Sequence, residues 1–85
     1  MLQVCEISVI LENPSVSQQP FNEIVSHYKH FVKGRMGLPL DEHDIAVISL
    51  VVIAEAKTIT EFVKEIETVK DASVTVNMCK KTFSA

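Results

Sequence analysis

The sequence predicts an α+β fold: a βαββαβ sandwich whose four-stranded antiparallel sheet carries two helices on one face. Three observations predict it. The hydrophobic period switches between two and about 3.6 residues, giving strand, helix and strand in each half. Ile45 to Ile53 is aliphatic almost throughout, as a buried central strand is. The halves also echo each other at a shift of about forty-one positions. That shift lays Ile7-Ser8-Val9-Ile10 over Ile48-Ser49-Leu50-Val51, Phe21 over Phe62 and Val25 over Ile66. A duplicated split βαβ unit with right-handed crossovers gives the strand order 4-1-3-2.

Each element follows from local pattern. From Leu2 to Leu11, Cys5, Ile7, Val9 and Leu11 share one face, and Glu6, Ser8 and Ile10 the other. Glu12-Asn13-Pro14-Ser15 breaks this strand, because Pro14 has no N–H for the ladder. Phe21, Ile24, Val25, Tyr28, Phe31 and Val32 then recur at helical spacing. Ser17 is the expected N-cap, Pro20 sits in the first turn, and Gly34 is the expected left-handed C-cap. Arg35 to Leu40 reads as a short edge strand, since Pro39 cannot donate.

Asp41-Glu42-His43-Asp44 is a polar turn before the Ile45 to Ile53 strand. Thr58 and Glu61 have capping-box spacing at the head of a second helix, whose stripe is Ile59, Phe62, Val63, Ile66 and Val69. Val74, Val76 and Met78 alternate with polar residues in the last strand. With both helices on one face, Ala46, Ile48, Leu50 and Val52 face them, and Val47, Val51 and Ile53 stand on the open side beside Ser49. A partner subunit is the simplest cover for those aliphatics, so a homodimer or higher oligomer is expected.

Composition narrows the function. The 85 residues read as one domain, residues 1–85, which buries only roughly 60–65 % of its unfolded surface. A hydrophobic fraction of 47 % against 22 % charged residues is globular, and a net charge of −3 argues against direct nucleic-acid binding. No apolar run is long enough to cross a bilayer, and no basic leader precedes one, so a cytoplasmic protein without a membrane partner is expected. Cys5 and Cys79 are then reduced.

Candidate chemistry is sparse. His27 and His30, with His43 and the cysteines, raise a metal site, but solvated histidines are the better reading and no metal ligand is assigned. No nucleophile–base pair or carboxylate pair suggests an enzyme. The segment Gly34 to Leu40 holds both glycines, the only arginine and one of three prolines. Gly34-Arg35-Met36-Gly37 matches the glycine-x-x-glycine loop of single-strand RNA-binding KH modules, yet it leads into a strand instead of a helix. A helix cap and turn account for it best. Beyond that, Arg35 offers a planar fork for a carboxylate.

Three stretches carry a family resemblance: Val9-Ile10-Leu11-Glu12-Asn13-Pro14, Val32-Lys33-Gly34-Arg35-Met36-Gly37-Leu38-Pro39 and Ile45-Ala46-Val47-Ile48-Ser49-Leu50-Val51-Val52. Together with Tyr28 they resemble the iron-only hydrogenase system regulators. These are small ACT-like, ferredoxin-like proteins related in fold to the C-terminal domain of nickel-responsive repressors. The resemblance implies a regulatory module without a reaction or cofactor, acting by ligand-responsive oligomerisation or protein interaction. The alternative is an interaction scaffold with no small-molecule ligand. The nickel ligands of the metal-responsive relatives have no counterpart here. ACT-like folds present ligands to the turn after the first strand, so the expected ligand-binding residues are Asn13, Arg35 and Gly37, for an amino-acid-like anion.

Overall fold

The computed structural model describes residues 1–84. The chain runs β1 (Leu2–Glu12), α1 (Pro14–His27), β2 (Val32–Leu40), a 3₁₀ turn (Asp41–His43), β3 (Ile45–Glu55), α2 (Ala56–Glu67) and β4 (Ala72–Phe83). All four strands form one antiparallel sheet in the order β2-β3-β1-β4. This is the expected ferredoxin-like α+β topology.

Strand parity builds the core. Along β1, Cys5, Ile7, Val9 and Leu11 are buried, and along β3 Ala46, Ile48, Leu50, Val52 and Ala54 are. Those residues meet Phe21 and Val25 of α1 and Ile59, Phe62 and Ile66 of α2. The helices thus cover one face only.

The ends of α1 depart from the pattern. Asn13, with φ 56°, is the N-cap and Pro14 opens the helix, so Ser17 is an interior residue and not the cap. Its buried hydroxyl donates to the Asn13 carbonyl at 3.1 Å and the Glu12 carbonyl at 3.3 Å. At the other end the helix stops at His27, well before Gly34. Pairing with the central strand decides this: Phe31 O accepts from Ile53 N at 3.0 Å and Val32 pairs with Val52, which fixes this stretch as extended chain. Phe31 and Val32 still pack on the core, from a turn and a strand.

Gly34 is therefore a strand residue, and neither glycine has positive φ. Asn13, Asp44 and Asp71 take that conformation instead, at corners where short polar side chains tolerate it. Thr58 is not a cap either, because β3 runs directly into α2 with extended Glu55 in the cap position.

One contact ties the two helical units together. The ring of Tyr28, just after α1, stacks on Phe62 of α2 with centroids 4.3 Å apart, and its hydroxyl donates to Glu65. That hydrogen bond, then burial and the nearby carboxylate charges, push the Tyr28 phenol up to about 12. A phenol whose folded pKa is raised contributes its stability below the ordinary value of 10, and loses it as pH climbs through about 12. Tyr28→Phe keeps the stack and removes the donor. It should cost about 1 kcal/mol in denaturant unfolding at pH 7. The gap to the wild type should close as pH rises beyond 10 towards 12.

Candidate functional site

The uncovered face of the sheet is mostly apolar. On β2, Met36 and Leu38 point to this side opposite Ser49 and Val47, and they are 74 % and 61 % exposed. Ile10 of β1 faces Val47, and Val51 of β3 faces Glu6. Ile10, Val47 and Val51 are all exposed large hydrophobics. Thr75 and Asn77 of β4 complete the surface opposite Ser8 and Glu6.

A polar island sits in the middle. Ser49 Oγ donates to Glu6 Oε2 at 2.6 Å, and Ser8 Oγ lies 2.7 Å from Oε2 and 3.0 Å from Oε1. The Ser49 hydroxyl first, then that of Ser8, hold the Glu6 carboxyl below its ordinary range against a small opposing effect of burial. The carboxylate is thus satisfied from within the face. Among the described residues the one ion pair lies elsewhere, between the Met1 amine and Glu55 at 3.8 Å. A shallow hollow of about 270 Å³ beside Glu6 is lined by Val4, Val51, Asn77, Met78 and Cys79. Burial, followed by the Glu6 charge, pushes the neighbouring Cys5 thiol up, so it is a poor nucleophile.

On the helix side, Arg35 and Gly37 share a shallow pocket of about 310 Å³ with Gln18, Pro39, Ala46 and Ile48. The arginine is held from behind: Nη2 donates to Asn22 Oδ1 at 2.8 Å, and the guanidinium lies 5.4 Å from the Phe21 ring centroid. Gln18 Nε2 donates to the same Asn22 oxygen at 3.1 Å. Nothing within 4 Å would meet a side chain at Gly37, so the backbone there is open.

Asn13 does not join this pocket. Gly37 pairs with Ile48 and Glu12 with Ile45, which sets Asn13 roughly 13 Å further along the strands and about 10 Å across them. Its side chain is engaged locally, with Nδ2 donating to Asp71 Oδ2 at 3.2 Å and its backbone N–H to Asp44 O at 3.0 Å. The histidines are dispersed as well. Among the described residues no three His, Cys, Asp or Glu side chains group as a metal would require.

Sequence reading missed the Glu6 cluster, although its signal was present. The internal echo lays Ser8 over Ser49, and the register pairs those two residues across β1 and β3. Removing the charge tests the cluster. A carboxyl with a lowered folded pKa contributes stability above its ordinary value of 4.5 and loses it as pH falls through the folded value. Glu6→Gln should therefore cost about 1 kcal/mol at pH 7, read by denaturant unfolding. The difference should shrink on acidification below 4.5.

Comparison with known proteins follows the same lines. Residues 3–76 match the family model described as "TM1266-like: Iron-only hydrogenase system regulator, putative". The solved structure of the uncharacterized protein TM1266 from Thermotoga maritima superposes with a TM-score of 0.89 at 19 % identity, covering 94 % of this chain and 100 % of that one. An unknown protein from Galdieria sulphuraria gives 0.71 at 12 % identity. This chain is covered to 98 % in that comparison and spans about half, 48 %, of the Galdieria protein. No curated protein sequence matches. At these identities the two structures support the fold. The family-model match spans most of the sequence, and the chain belongs to the TM1266-like family, named for regulation of the iron-only hydrogenase system.

Proposed function

We propose that this chain is a cytoplasmic regulatory module of an iron-only hydrogenase system that works by assembling with a second copy across the open sheet face, in response to a small carboxylate held at Arg35. One observation carries the reading: large aliphatic and thioether side chains stand exposed around a carboxylate that needs no partner of its own. A monomer would leave this apolar surface wet, whereas a second copy removes it from water at about 25 cal/mol per Å². The net charge of −3 gives no basis for direct DNA contact, so the regulatory effect passes through protein association.

The Arg35 pocket supplies the ligand chemistry. With Asn22 occupying one edge of the guanidinium and Phe21 its face, the remaining N–H groups are free to grip a carboxylate in two-point geometry. The open backbone at Gly37 leaves room for the body of an amino-acid-like anion.

Two variants separate the parts of this reading. Val51→Lys places an unpaired charge in the seam and should lower the sedimenting mass of the protein at micromolar concentration. An unchanged mass, or a wild type that sediments as a monomer, would sink the assembly. Arg35→Ala should weaken binding of an amino-acid-like carboxylate about tenfold or more in calorimetric titration, with little change in unfolding. Flat titrations of the wild type together with an unfolded Arg35→Ala would instead make Arg35 a structural tie.

A further inference from the structure

The internal repeat gives each half a hollow between its helix and its outer strand, and the two hollows differ in chemistry. The repeat lays Ile7 over Ile48 and Val9 over Leu50. On β2, Gly37 and Arg35 stand opposite Ile48 and Leu50, and on β4, Val76 and Val74 stand opposite Ile7 and Val9. Val74 therefore holds the place of Arg35, and Val76 that of Gly37. On the helices the same shift lays Ile59 over Gln18 and Val63 over Asn22. The hollow of the second half, about 320 Å³, is lined by Ile59, Val63 and Val76. Ile59 is buried there, and Val63, Val74 and Val76 pack against the core. Aliphatic residues thus satisfy the fold at this place.

The first half sets Gln18, Asn22 and Arg35 in those positions instead. One oxygen joins the three, since Asn22 Oδ1 accepts from both Arg35 Nη2 and Gln18 Nε2. The guanidinium and the Gln18 amide are thereby held side by side at the pocket. Arg35 is the one charged residue that lines it, and its floor of Pro39, Ala46 and Ile48 is apolar. Because the other half fills the equivalent place with aliphatics, packing does not call for this polar set.

We propose that the Arg35 pocket takes a short 2-oxo carboxylate, the skeleton of an amino acid with an oxygen where the ammonium would be. This rests on the carboxylate grip at Arg35 and adds which carboxylate it is. Free N–H groups of the guanidinium take the two carboxylate oxygens. Gln18 Nε2 carries two N–H groups, of which Asn22 uses one, and the second donates to the oxo oxygen. Asn22 is a positioning residue that holds both donors. An amino acid of the same length fits less well, because its ammonium would lie beside the guanidinium with no carboxylate in the lining to offset the repulsion. The short aliphatic tail covers the apolar floor.

Three acids of one carbon skeleton test the assignment: 2-oxobutanoate, 2-aminobutanoate and butanoate, each titrated into the whole chain by calorimetry at neutral pH. The wild type should bind 2-oxobutanoate about tenfold or more tightly than 2-aminobutanoate, and more tightly than butanoate. Gln18→Leu, an exchange for the kind of side chain that Ile59 supplies in the other half, should erase the difference between 2-oxobutanoate and butanoate in a chain with native circular dichroism. A wild type that binds 2-aminobutanoate as tightly as 2-oxobutanoate overturns the proposal and leaves the carboxylate grip at Arg35 standing. A folded Gln18→Leu chain that still prefers 2-oxobutanoate to butanoate overturns it as well. If the folded wild type binds none of the three acids, the grip at Arg35 and this proposal fail together.

Discussion

Two helices can cover only one side of a four-stranded sheet, and that limit shapes the rest of this molecule. The helix side is closed: the inward rows of β1 and β3 are buried against Phe21, Phe62 and Ile66. The other side keeps alternate residues of the same strands uncovered, and around the Glu6, Ser8 and Ser49 cluster these include exposed aliphatics. Val47 and Val51 sit on the central strand, and Met36 and Leu38 extend the apolar row to β2. A small domain has little stability to spare. Aliphatics on its outer face are apolar surface that this chain's own helices leave in contact with water.

Within that face the internal duplication leaves a readable trace. Residues related by the repeat lie about a pseudo-two-fold between the central strands, and Ser8 and Ser49, related by the shift, are cross-strand partners. Phe21 and Phe62 obey the same relation as fully buried side chains at the centres of α1 and α2. Glu6 breaks it, because the repeat sets Val47 in the corresponding place. One half thus contributes a carboxylate where the other contributes an aliphatic, and the two serines hold that charge. A polar group placed off a symmetric apolar surface fixes how a second surface can be laid on it, since misplaced registers would bury the carboxylate against apolar groups.

The strands, their order and the face they present were legible because period-two patterning and crossover handedness act locally. The helix ends were not. Phe31 and Val32 continue the helical spacing of Phe21, Ile24 and Val25, so periodicity carries the helix to Gly34, whereas the structure gives those residues to a turn and a strand that pair with Ile53 and Val52. Tertiary pairing outweighed a local pattern that served the same core either way. Ser17 misled for a related reason: a serine at a helix start signals a cap, yet here it returns its hydroxyl to the carbonyls behind it. Of the expected ligand residues, Arg35 and Gly37 lie together because they are two apart on one strand. Asn13 belongs to a different corner, a separation that only the register could reveal.

The placement of Arg35 relates the helix-side pocket to the open face of the sheet. It sits on β2, an edge strand tied to the sheet through β3. Successive side chains of a strand point to opposite faces, so Arg35 turns toward α1 while Gly34 and Met36 flank it on the open side. Gly34 makes only ordinary contact with Val51, 4.0 Å from where its Cβ would stand, and Gly37 meets nothing, so side-chain packing at the two glycines does little to lock β2 in place. The helix-side pocket and the apolar open face thus meet within one strand, where Arg35 and Met36 are consecutive residues pointing to opposite sides.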